Sequence, residues 1–295
     1  MHRPTLILLV GIPGSGKTTY ANKYVEEHFN TIHLSSDKIR EELWGNEAVQ
    51  GDNNEVSSLI QKRAISALHN GQDVVYDATN ITRKDRACII APCPKFARIE
   101  AHIIWAPIET CIERDTARER TVGKTVIDKM LKKFQAPYYD EGIDSISISY
   151  PENFDHSKYT EDIFDAMKIP HDNPHHSLNI FEHCKAAGDY VANNDPSGTL
   201  LLAAFGHDIG KPYVKSFVDS KGNPCEQAHY YQHQCVGAWM YYGTRAAARN
   251  LYDVDVAWLI STHMDPFLNT KYYNRLPAYL KEQVDLLHEA DRAAH

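Results

Sequence analysis

Apolar and polar positions are arranged differently in the two halves of this chain of 295 residues. In residues 1–150, short apolar runs alternate with amphipathic segments. The runs predict strands at 5–10, 31–34, 73–76, 99–105 and 145–150, and the segments between them predict helices at 17–28, 36–43, 54–69, 82–91, 109–120 and 125–134. Strands that alternate with helices form a parallel sheet with helices on both faces, and such sheets bind ligands at the carboxyl ends of their strands.

The second half loses the strand signals. Its apolar periodicity predicts helices at 176–194, 198–208, 228–248, 252–264 and 276–294, with a loop at 214–227. Residues 151–174 are polar and contain Pro151, Pro170 and Pro174. The pattern therefore predicts an α/β domain at 1–150, a linker at 151–174 and an all-α domain at 175–295.

The composition is that of an ordinary globular protein, with 43% hydrophobic and 24% charged residues. No apolar stretch is long enough to span a membrane, and the chain enters its first strand without a signal or transit peptide. Six cysteines without a CxxC pattern predict reduced thiols. These features favour a cytoplasmic protein.

The net charge of −8 is unevenly placed. Residues 1–150 carry 19 basic and 20 acidic side chains, whereas residues 151–295 carry 12 and 19. A protein that binds a long duplex through many phosphates should be basic, and this chain is acidic. A nucleic-acid substrate is therefore expected to bind through one of its ends. Because 11 of the 16 histidines follow residue 150, we expect a metal site in the second half.

Residues 11–18 read Gly-Ile-Pro-Gly-Ser-Gly-Lys-Thr and follow a predicted strand. This is the P-loop pattern, in which backbone amides at a helix N-terminus cradle nucleotide phosphates. Lys17 is expected at the β- and γ-phosphates, and the Thr18 hydroxyl at Mg²⁺. The predicted nucleotide-binding residues of this segment are Gly14, Ser15, Gly16, Lys17, Thr18 and Thr19.

Two acidic residues follow predicted strands. Asp37 is three residues before Arg40 on a predicted helix, where it is either a general base held by the arginine or half of a surface ion pair. Asp77 ends the third strand, where it is either a contact to Mg²⁺ or acceptor, or a helix N-cap.

Arginines 114, 118 and 120 lie on the predicted helix 109–120. Phosphoryl transfer requires positive charge over the γ-phosphate, and small kinases bring it on a lid. The same pattern is compatible with a solvated helix whose arginines pair with Glu113 and Glu119.

The segments GIPGSGKTTYA, SSDKIRE, VVYDATN and CIERDTARER occur in this order. Together they resemble the 5′-hydroxyl polynucleotide kinase domain of phage and bacterial end-healing enzymes, over about the first 150 residues. The resemblance implies that Asp37 is the general base and that Arg40 binds the acceptor phosphate. It also implies that Arg118 is the lid arginine on the γ-phosphate and that Arg114 lies near the nucleotide.

In the second half, an apolar segment ends in His207-Asp208, within the sequence HDIGKP. Imidazole and carboxylate together suit Mn, Fe, Co, Ni or Mg. Helices that converge on one point build such sites, and the further candidate ligands are His183, His233, His263 and Asp291. His229 precedes His233 by four residues on the same predicted helical face and could exchange roles with it, and His175, His176 and Asp265 are weaker candidates.

This set resembles the HD phosphohydrolase domain. The resemblance implies His183, His207, Asp208 and Asp291 as primary metal ligands, with His233 and His263 at the positions of the extra histidines of two-metal members. A metal pair would supply a hydroxide and clamp a phosphoester oxygen, and Lys211 could bind the substrate phosphate.

We therefore expect a bifunctional end-healing enzyme that uses ATP or GTP with Mg²⁺ to phosphorylate 5′-OH ends. The HD domain, with one or two divalent metals, would remove a 3′-phosphate or open a 2′,3′-cyclic phosphate. The expected partners are nucleic-acid ends, with RNA favoured over DNA, and a separate ligase. Two alternatives stay open: a small-molecule kinase fused to an HD nucleotide hydrolase, and a kinase with a non-catalytic HD sensor.

Overall fold

The computed structural model describes residues 3–46, 49, 51–173, 177–194, 197–249 and 253–294. The chain forms two compact units. The amino-terminal unit comprises Met1–Met130 and Pro137–Glu152, and the carboxyl-terminal unit comprises Leu131–Ala136 and Asn153–His295. These boundaries differ from the expected ones, because the segment 131–136 belongs to the second unit. Phe134 in this segment packs edge-to-face against Trp239 at 5.3 Å between ring centroids.

The amino-terminal unit contains a five-stranded parallel sheet in the order β2-β3-β1-β4-β5. Its strands are β1 (Thr5–Val10), β2 (Thr31–Ser35), β3 (Asp73–Asp77), β4 (Arg98–Ile104) and β5 (Ser145–Ser149). Residues 6–10 of β1 are fully buried, as expected of the central strand of a parallel sheet that is covered on both faces. The predicted parallel sheet is confirmed for this unit.

The helices between the strands are α1 (Lys17–Glu27), α2 (Ser36–Trp44), α3 (Asn53–His69), α4 (Arg83–Ile90), α5 (Ile108–Thr116) and α6 (Lys124–Leu131). The Ser35 side chain caps α2 by accepting from the amide of Lys38. Thr82 and Asp85 form a capping box at the start of α4. Asp77 is therefore not the cap of α4, which removes one of its two possible roles.

Helices dominate the carboxyl-terminal unit: α7 (His156–Ala166), α8 (Ile180–Asn194), α9 (Gly198–Gly206), α10 (Lys211–Val214), α11 (His233–Tyr242), α12 (Arg245–Arg249), α13 (Asp253–Thr262), α14 (Asp265–Leu268), α15 (Thr270–Tyr273) and α16 (Ala278–Ala293). Helix α7 lies within the expected linker 151–174. Asp155 caps it, and its buried Ile163 and the following Met167 belong to the core. Its many exposed polar residues explain why the segment resembles a linker in sequence.

The carboxyl-terminal unit is not all-α, since β6 (Ser216–Val218) and β7 (Pro224–His229) pair as an antiparallel hairpin. Asp219 closes its turn by accepting from the amides of Lys221 and Asn223. The expected helix 228–248 is consequently wrong at its start. Gln232, with a left-handed φ of 64°, separates β7 from α11. Short strands of mixed polarity give too little periodicity to be recognised in a sequence.

Across the described ranges, no helix is both long and apolar enough to cross a membrane. His175 and His176, two of the weaker metal candidates, lie outside the residues that the structure describes.

A buried ion pair joins α4 to the segment before β5. The Arg86 guanidinium is fully buried and donates two hydrogen bonds, each 2.7 Å long, to the two carboxylate oxygens of Glu141. It also donates to the carbonyl of Asn80 at 3.0 Å, and the Asn80 side chain in turn donates to Leu9 in β1. This network ties the ends of β1 and β3 to the later part of the unit.

We expect Arg86→Ala to lower the free energy of unfolding of this unit by about 3–5 kcal/mol, because it leaves the Glu141 carboxylate without its partner. Chemical denaturation of wild type and variant measures the change. The matched control is Lys124→Ala, which breaks an exposed i,i+4 pair with Asp128 and should cost less than about 1 kcal/mol. Equal losses in both variants would contradict the prediction.

Candidate functional site

The P-loop of the amino-terminal unit joins β1 to α1. Gly14 and Gly16 have φ angles of 81° and 108°, in the left-handed region that favours glycine. A Cβ atom at Gly14 would lie 2.1 Å from the carbonyl oxygen of Cys111, so the loop passes too close to α5 for any side chain. The loop therefore directs the amino-terminal end of α1 at the edge of the sheet, where an anion can bind.

Lys17 is buried at the start of α1, and its Nζ donates to the carbonyl of Ile12 at 3.0 Å. Burial lowers the pKa of Lys17 to about 8, although the neighbouring Asp77 opposes the shift. Asp37 raises the same pKa and Arg118 lowers it, so both charges lie within electrostatic reach of the ammonium. The neighbouring carboxylates therefore balance the positive charge of Lys17 only in part, as expected of a lysine that binds phosphate.

The Thr18 hydroxyl donates to Asp77 Oδ2 at 2.8 Å, and His33 Nε2 lies 3.1 Å from the same oxygen. Burial opposes the ionisation of Asp77, but the hydrogen bonds of His33 and Thr18 and the charge of Lys17 hold its pKa below the usual value. P-loop enzymes hold Mg²⁺ with the loop Ser or Thr and an Asp at the end of a neighbouring strand. Thr18 and Asp77 have this chemistry, and sequence reasoning did not single out His33.

A cavity of about 610 Å³ adjoins the P-loop. It is lined by six of the predicted nucleotide-binding residues, Gly14, Ser15, Gly16, Thr19, Arg114 and Arg118, and by the last residue of β5 with the three that follow it, residues 149–152. Helix α5 ends at Thr116, so Arg118 and Arg120 do not lie on it as expected. Arg114 and Arg118 nevertheless line one cavity, and Arg114 also contacts the carbonyl of Ser15 at 3.4 Å.

Asp37 and Arg40 both lie near the start of α2. Arg40 Nη1 donates to Asp37 Oδ1 at 2.9 Å, and Arg120 Nη1 lies 3.8 Å from the same oxygen. The Asp37 side chain is 54% exposed, whereas that of Arg40 is 17% exposed. The geometry presents an accessible carboxylate oriented by two arginines.

In the carboxyl-terminal unit, the six predicted ligands lie on or just after five helices. His183 is on α8, His207 and Asp208 follow α9, His233 starts α11, His263 follows α13, and Asp291 is on α16. Their donor atoms form two groups, each with all atoms within 4.8 Å of one another: His183, His207, Asp208 and Asp291 in one, and Asp208, His233 and His263 in the other. Asp208 belongs to both groups, so two cations could share its carboxylate. The groups include neither Asp265 nor His229, which lies in β7.

We call the six residues of the two groups the metal cluster. Its four histidines are oriented in the same way. Nδ1 of each ring lies 2.7–2.9 Å from a backbone carbonyl: His183 to Ala294, His207 to Ala204, His233 to Tyr230 and His263 to Ile260. Because a carbonyl only accepts, each Nδ1 carries a proton and donates it. Nε2 of each ring is thereby directed at the cluster, where it can bind a metal cation in place of a proton.

These nitrogens approach one another closely. His207 Nε2 lies 3.3 Å from His183 Nε2, and His233 Nε2 lies 3.2 Å from His263 Nε2. Two facing electron pairs repel unless a proton or a metal cation lies between them. Burial opposes protonation of His207, yet the Asp208 carboxylate raises its pKa well above the usual value. The cluster therefore favours added positive charge.

The two carboxylates of the cluster are ionised. Burial opposes this, but Lys211 and His207 hold the pKa of Asp208 well below its usual range, and hydrogen bonds from His183 and His207 do the same for Asp291. Burial lowers the pKa of His263 to about 3. The Asp291 side chain is 24% exposed, so the cluster is accessible from its side.

Lys211 lies beside the cluster. Its Nζ is 2.5 Å from Asp208 Oδ2 and 3.3 Å from His171 Nε2, and it lies over the Tyr230 ring. His171 donates from Nδ1 to the carbonyl of Leu178 at 2.8 Å, and Tyr230 donates to the His171 carbonyl. Sequence reasoning missed His171 and Tyr230, because both lie outside the HD motif.

The family model that matches this chain covers mainly the amino-terminal unit. Residues 6–137 match a family model described as "AAA domain". Among curated relatives, transcription factor bHLH140 of Arabidopsis thaliana is 25% identical over 154 residues, which is 50% of this chain and 16% of that protein. A 6-phosphofructo-2-kinase/fructose-2,6-bisphosphatase of Aquarana catesbeiana is 24% identical over 71% of this chain and 50% of its own length. The chain thus spans half or less of the length of these relatives.

Two solved structures are similar to parts of the chain. The Pnkp1/Rnl/Hen1 RNA repair complex contains a chain with 23% identity and a TM-score of 0.42, over 45% of this chain and 44% of that one. A fungal RNA kinase has 13% identity and a TM-score of 0.38, over 56% of this chain and 86% of its own. The family match covers less than half of the chain, and the loop that it includes has the sequence pattern and the glycine geometry of a nucleotide-binding P-loop.

The buried charge of Lys17 gives a pH-dependent prediction. Below pH 8, Lys17 is protonated in both the folded and the unfolded chain, and burial of its charge lowers the free energy of unfolding by the full amount. Between pH 8 and 10.5, the folded protein releases this proton, so the destabilisation decreases and disappears as the pH rises. We expect Lys17→Met to stabilise the nucleotide-free protein by about 3 kcal/mol at pH 7 and by almost nothing near pH 10.5.

Denaturation at the two pH values measures this difference. Lys23→Met, at a lysine whose side chain is 74% exposed, is the control and should show little change at either pH. A Lys17→Met variant that is less stable than wild type at pH 7 would refute the argument.

Proposed function

We propose that the amino-terminal unit transfers the γ-phosphate of ATP or GTP to the 5′-hydroxyl of a polynucleotide end. The observation that carries this proposal is the contact between Thr18 and Asp77 beside the buried Lys17. Thr18 and Asp77 would hold Mg²⁺, which neutralises charge on the β- and γ-phosphates. Lys17 would contact the same phosphates, and Arg118, in the adjoining cavity, would supply charge to the transferring group.

Asp37 would accept the proton of the attacking hydroxyl. Its carboxylate is exposed, oriented by Arg40 and Arg120, and within electrostatic reach of Lys17, so acceptor and donor could meet there. The polynucleotide acceptor is supported by the four sequence segments that resemble the 5′-hydroxyl kinase domain and by the position of Arg40, which could bind the acceptor phosphate.

We further propose that the carboxyl-terminal unit binds one or two divalent cations and hydrolyses a phosphoester at a polynucleotide 3′ end, a 3′-phosphate or a 2′,3′-cyclic phosphate. His183, His207, Asp208 and Asp291 would hold one cation, and Asp208, His233 and His263 a second. The oriented Nε2 atoms and ionised carboxylates fit Mn, Fe, Co, Ni or Mg. A cation bound there supplies an activated water and polarises the phosphoester, and Lys211 would bind the substrate phosphate.

Joined in one chain, these activities would leave 5′-phosphate and 3′-hydroxyl ends. Such ends are the substrates of a ligase, which would be a separate protein. RNA is the favoured substrate under this proposal.

For the kinase activity, we expect Asp37→Asn to lower kcat for a 5′-OH oligonucleotide by about 10²–10⁴-fold, with KM for ATP little changed, because it removes the base without touching the nucleotide site. Transfer of labelled γ-phosphate measures the rate. Lys17→Ala should abolish it, and Asp140→Asn, at an exposed aspartate, is the matched control. Transfer to free nucleosides but to no oligonucleotide would replace the polynucleotide proposal with a small-molecule kinase.

For the metal site, we expect Mn²⁺ at a hundred times its Kd to raise the free energy of unfolding by about 2.7 kcal/mol. His207→Gln and His263→Gln should lose this gain. His229→Gln should keep it, since His229 lies in β7 outside both groups. Thermal melts with Mn²⁺ and with EDTA measure the effect. If metal binds but no 3′-phosphate is released, the sensor alternative is favoured.

A further inference from the structure

A row of lysine and aromatic side chains extends from the metal cluster onto the β6–β7 hairpin. We call Lys211, Lys215, Phe217 and Tyr230 the lysine–aromatic strip. Lys211 Nζ lies 5.4 Å from the centroid of the Tyr230 ring, and Lys215 Nζ lies 5.9 Å from that of Phe217. The strip thus presents two cation–π pairs, one at the cluster and one beyond it.

One segment holds both pairs in place. Lys215 Nζ donates to the carbonyl of Pro170 at 2.6 Å and to Asp172 at 2.7 Å. The residue between them, His171, contacts Lys211 through Nε2 and accepts a hydrogen bond from Tyr230. Lys211, Lys215 and Tyr230 therefore all contact residues 170–172, and Phe217 joins them through its contact with Lys215.

The strip ends in apolar surface. Phe217 is 46% exposed and its neighbour Val218 is 39% exposed, on a strand of only three residues. The exposed phenyl ring is flanked by an ammonium group, so it is not an ordinary apolar patch. Flat rings with adjacent phosphates match such a surface, because bases stack on aromatic side chains while lysines attract the backbone.

The lysines of the strip keep acidic partners. Residues 211–221 contain three lysines and a single acid, Asp219. Lys211 nevertheless pairs with Asp208 and Lys215 with Asp172, so the positive charge of each is balanced locally. The exposed Phe217 ring, on a strip that begins beside the metal cluster, is therefore the feature that favours the base of a bound nucleotide.

We propose that the lysine–aromatic strip binds the terminal nucleotide of a polynucleotide 3′ end, with its base stacked on Phe217 and its phosphate directed by Lys211 towards the metal cluster. This inference rests on the proposed 3′-end hydrolysis and specifies how that substrate is recognised. Because every base has a flat face that can stack on an aromatic ring, the strip would bind all four bases.

The test compares two oligonucleotides with a 3′-phosphate, one with a normal terminal nucleotide and one whose terminal nucleotide lacks the base. Wild type should prefer the base-bearing substrate by about tenfold in kcat/KM. For Phe217→Ala, kcat/KM on the base-bearing substrate should fall to the value that wild type shows on the abasic substrate. Its kcat/KM on the abasic substrate should equal that of wild type. Phe217→Tyr, which keeps the ring, should behave as wild type, and so should Tyr279→Ala, at an aromatic residue that is 62% exposed on α16.

A second measurement does not depend on turnover. The fluorescence of 2-aminopurine at the 3′-terminal position is quenched by stacking, so wild type should quench it on binding and Phe217→Ala should not. Equal quenching by wild type and Phe217→Ala would overturn the inference. So would a loss of kcat/KM from Phe217→Ala that is as large on the abasic substrate as on the base-bearing one. If wild type releases no phosphate from either oligonucleotide, the proposed hydrolysis fails, and the quenching titration alone decides whether the strip binds a base.

Discussion

Each unit of this protein is organised around a buried carboxylate whose charge must be balanced inside the fold. Asp77 in the amino-terminal unit is held by Thr18, His33 and Lys17. Asp208 in the carboxyl-terminal unit is surrounded by imidazoles and by Lys211. A buried carboxylate without partners would cost several kcal/mol, so the surrounding elements must present donors or cations to it. The candidate sites follow from this requirement.

The two units meet the requirement with different architectures. In the parallel sheet, β1 and β3 end side by side, so the P-loop and Asp77 meet without any adjustment of the backbone. In the helical unit, five helices contribute one or two groups each, and backbone carbonyls orient every imidazole of the cluster. In both cases rigid elements fix the side chains, which is the condition for a pre-organised site.

Residues outside the motifs complete each site. His33 supports Asp77, Arg86 ties the ends of the central strands to Glu141, and His171 holds Lys211. None of these has a characteristic spacing, since each acts through a partner between 40 and 55 positions away in the chain. Their roles depend on long-range contacts, which a local pattern does not encode.

Local patterns determined much of this protein. Apolar periodicity predicted the five strands and the order of elements in the first unit, and the P-loop and HD motifs identified Lys17, Thr18, His207 and Asp208. The tertiary structure decided the assignment of 131–136 and α7 to the second unit, the hairpin in place of a loop and a helix, and the end of α5 before Arg118. It also decided which histidines meet: His229 has a ligand-like spacing but lies in β7, whereas His263 joins the cluster from a distant helix. The reason is physical, because spacing along one helix or strand is set by local backbone geometry, whereas the meeting of separate elements is set by the packing of their apolar faces.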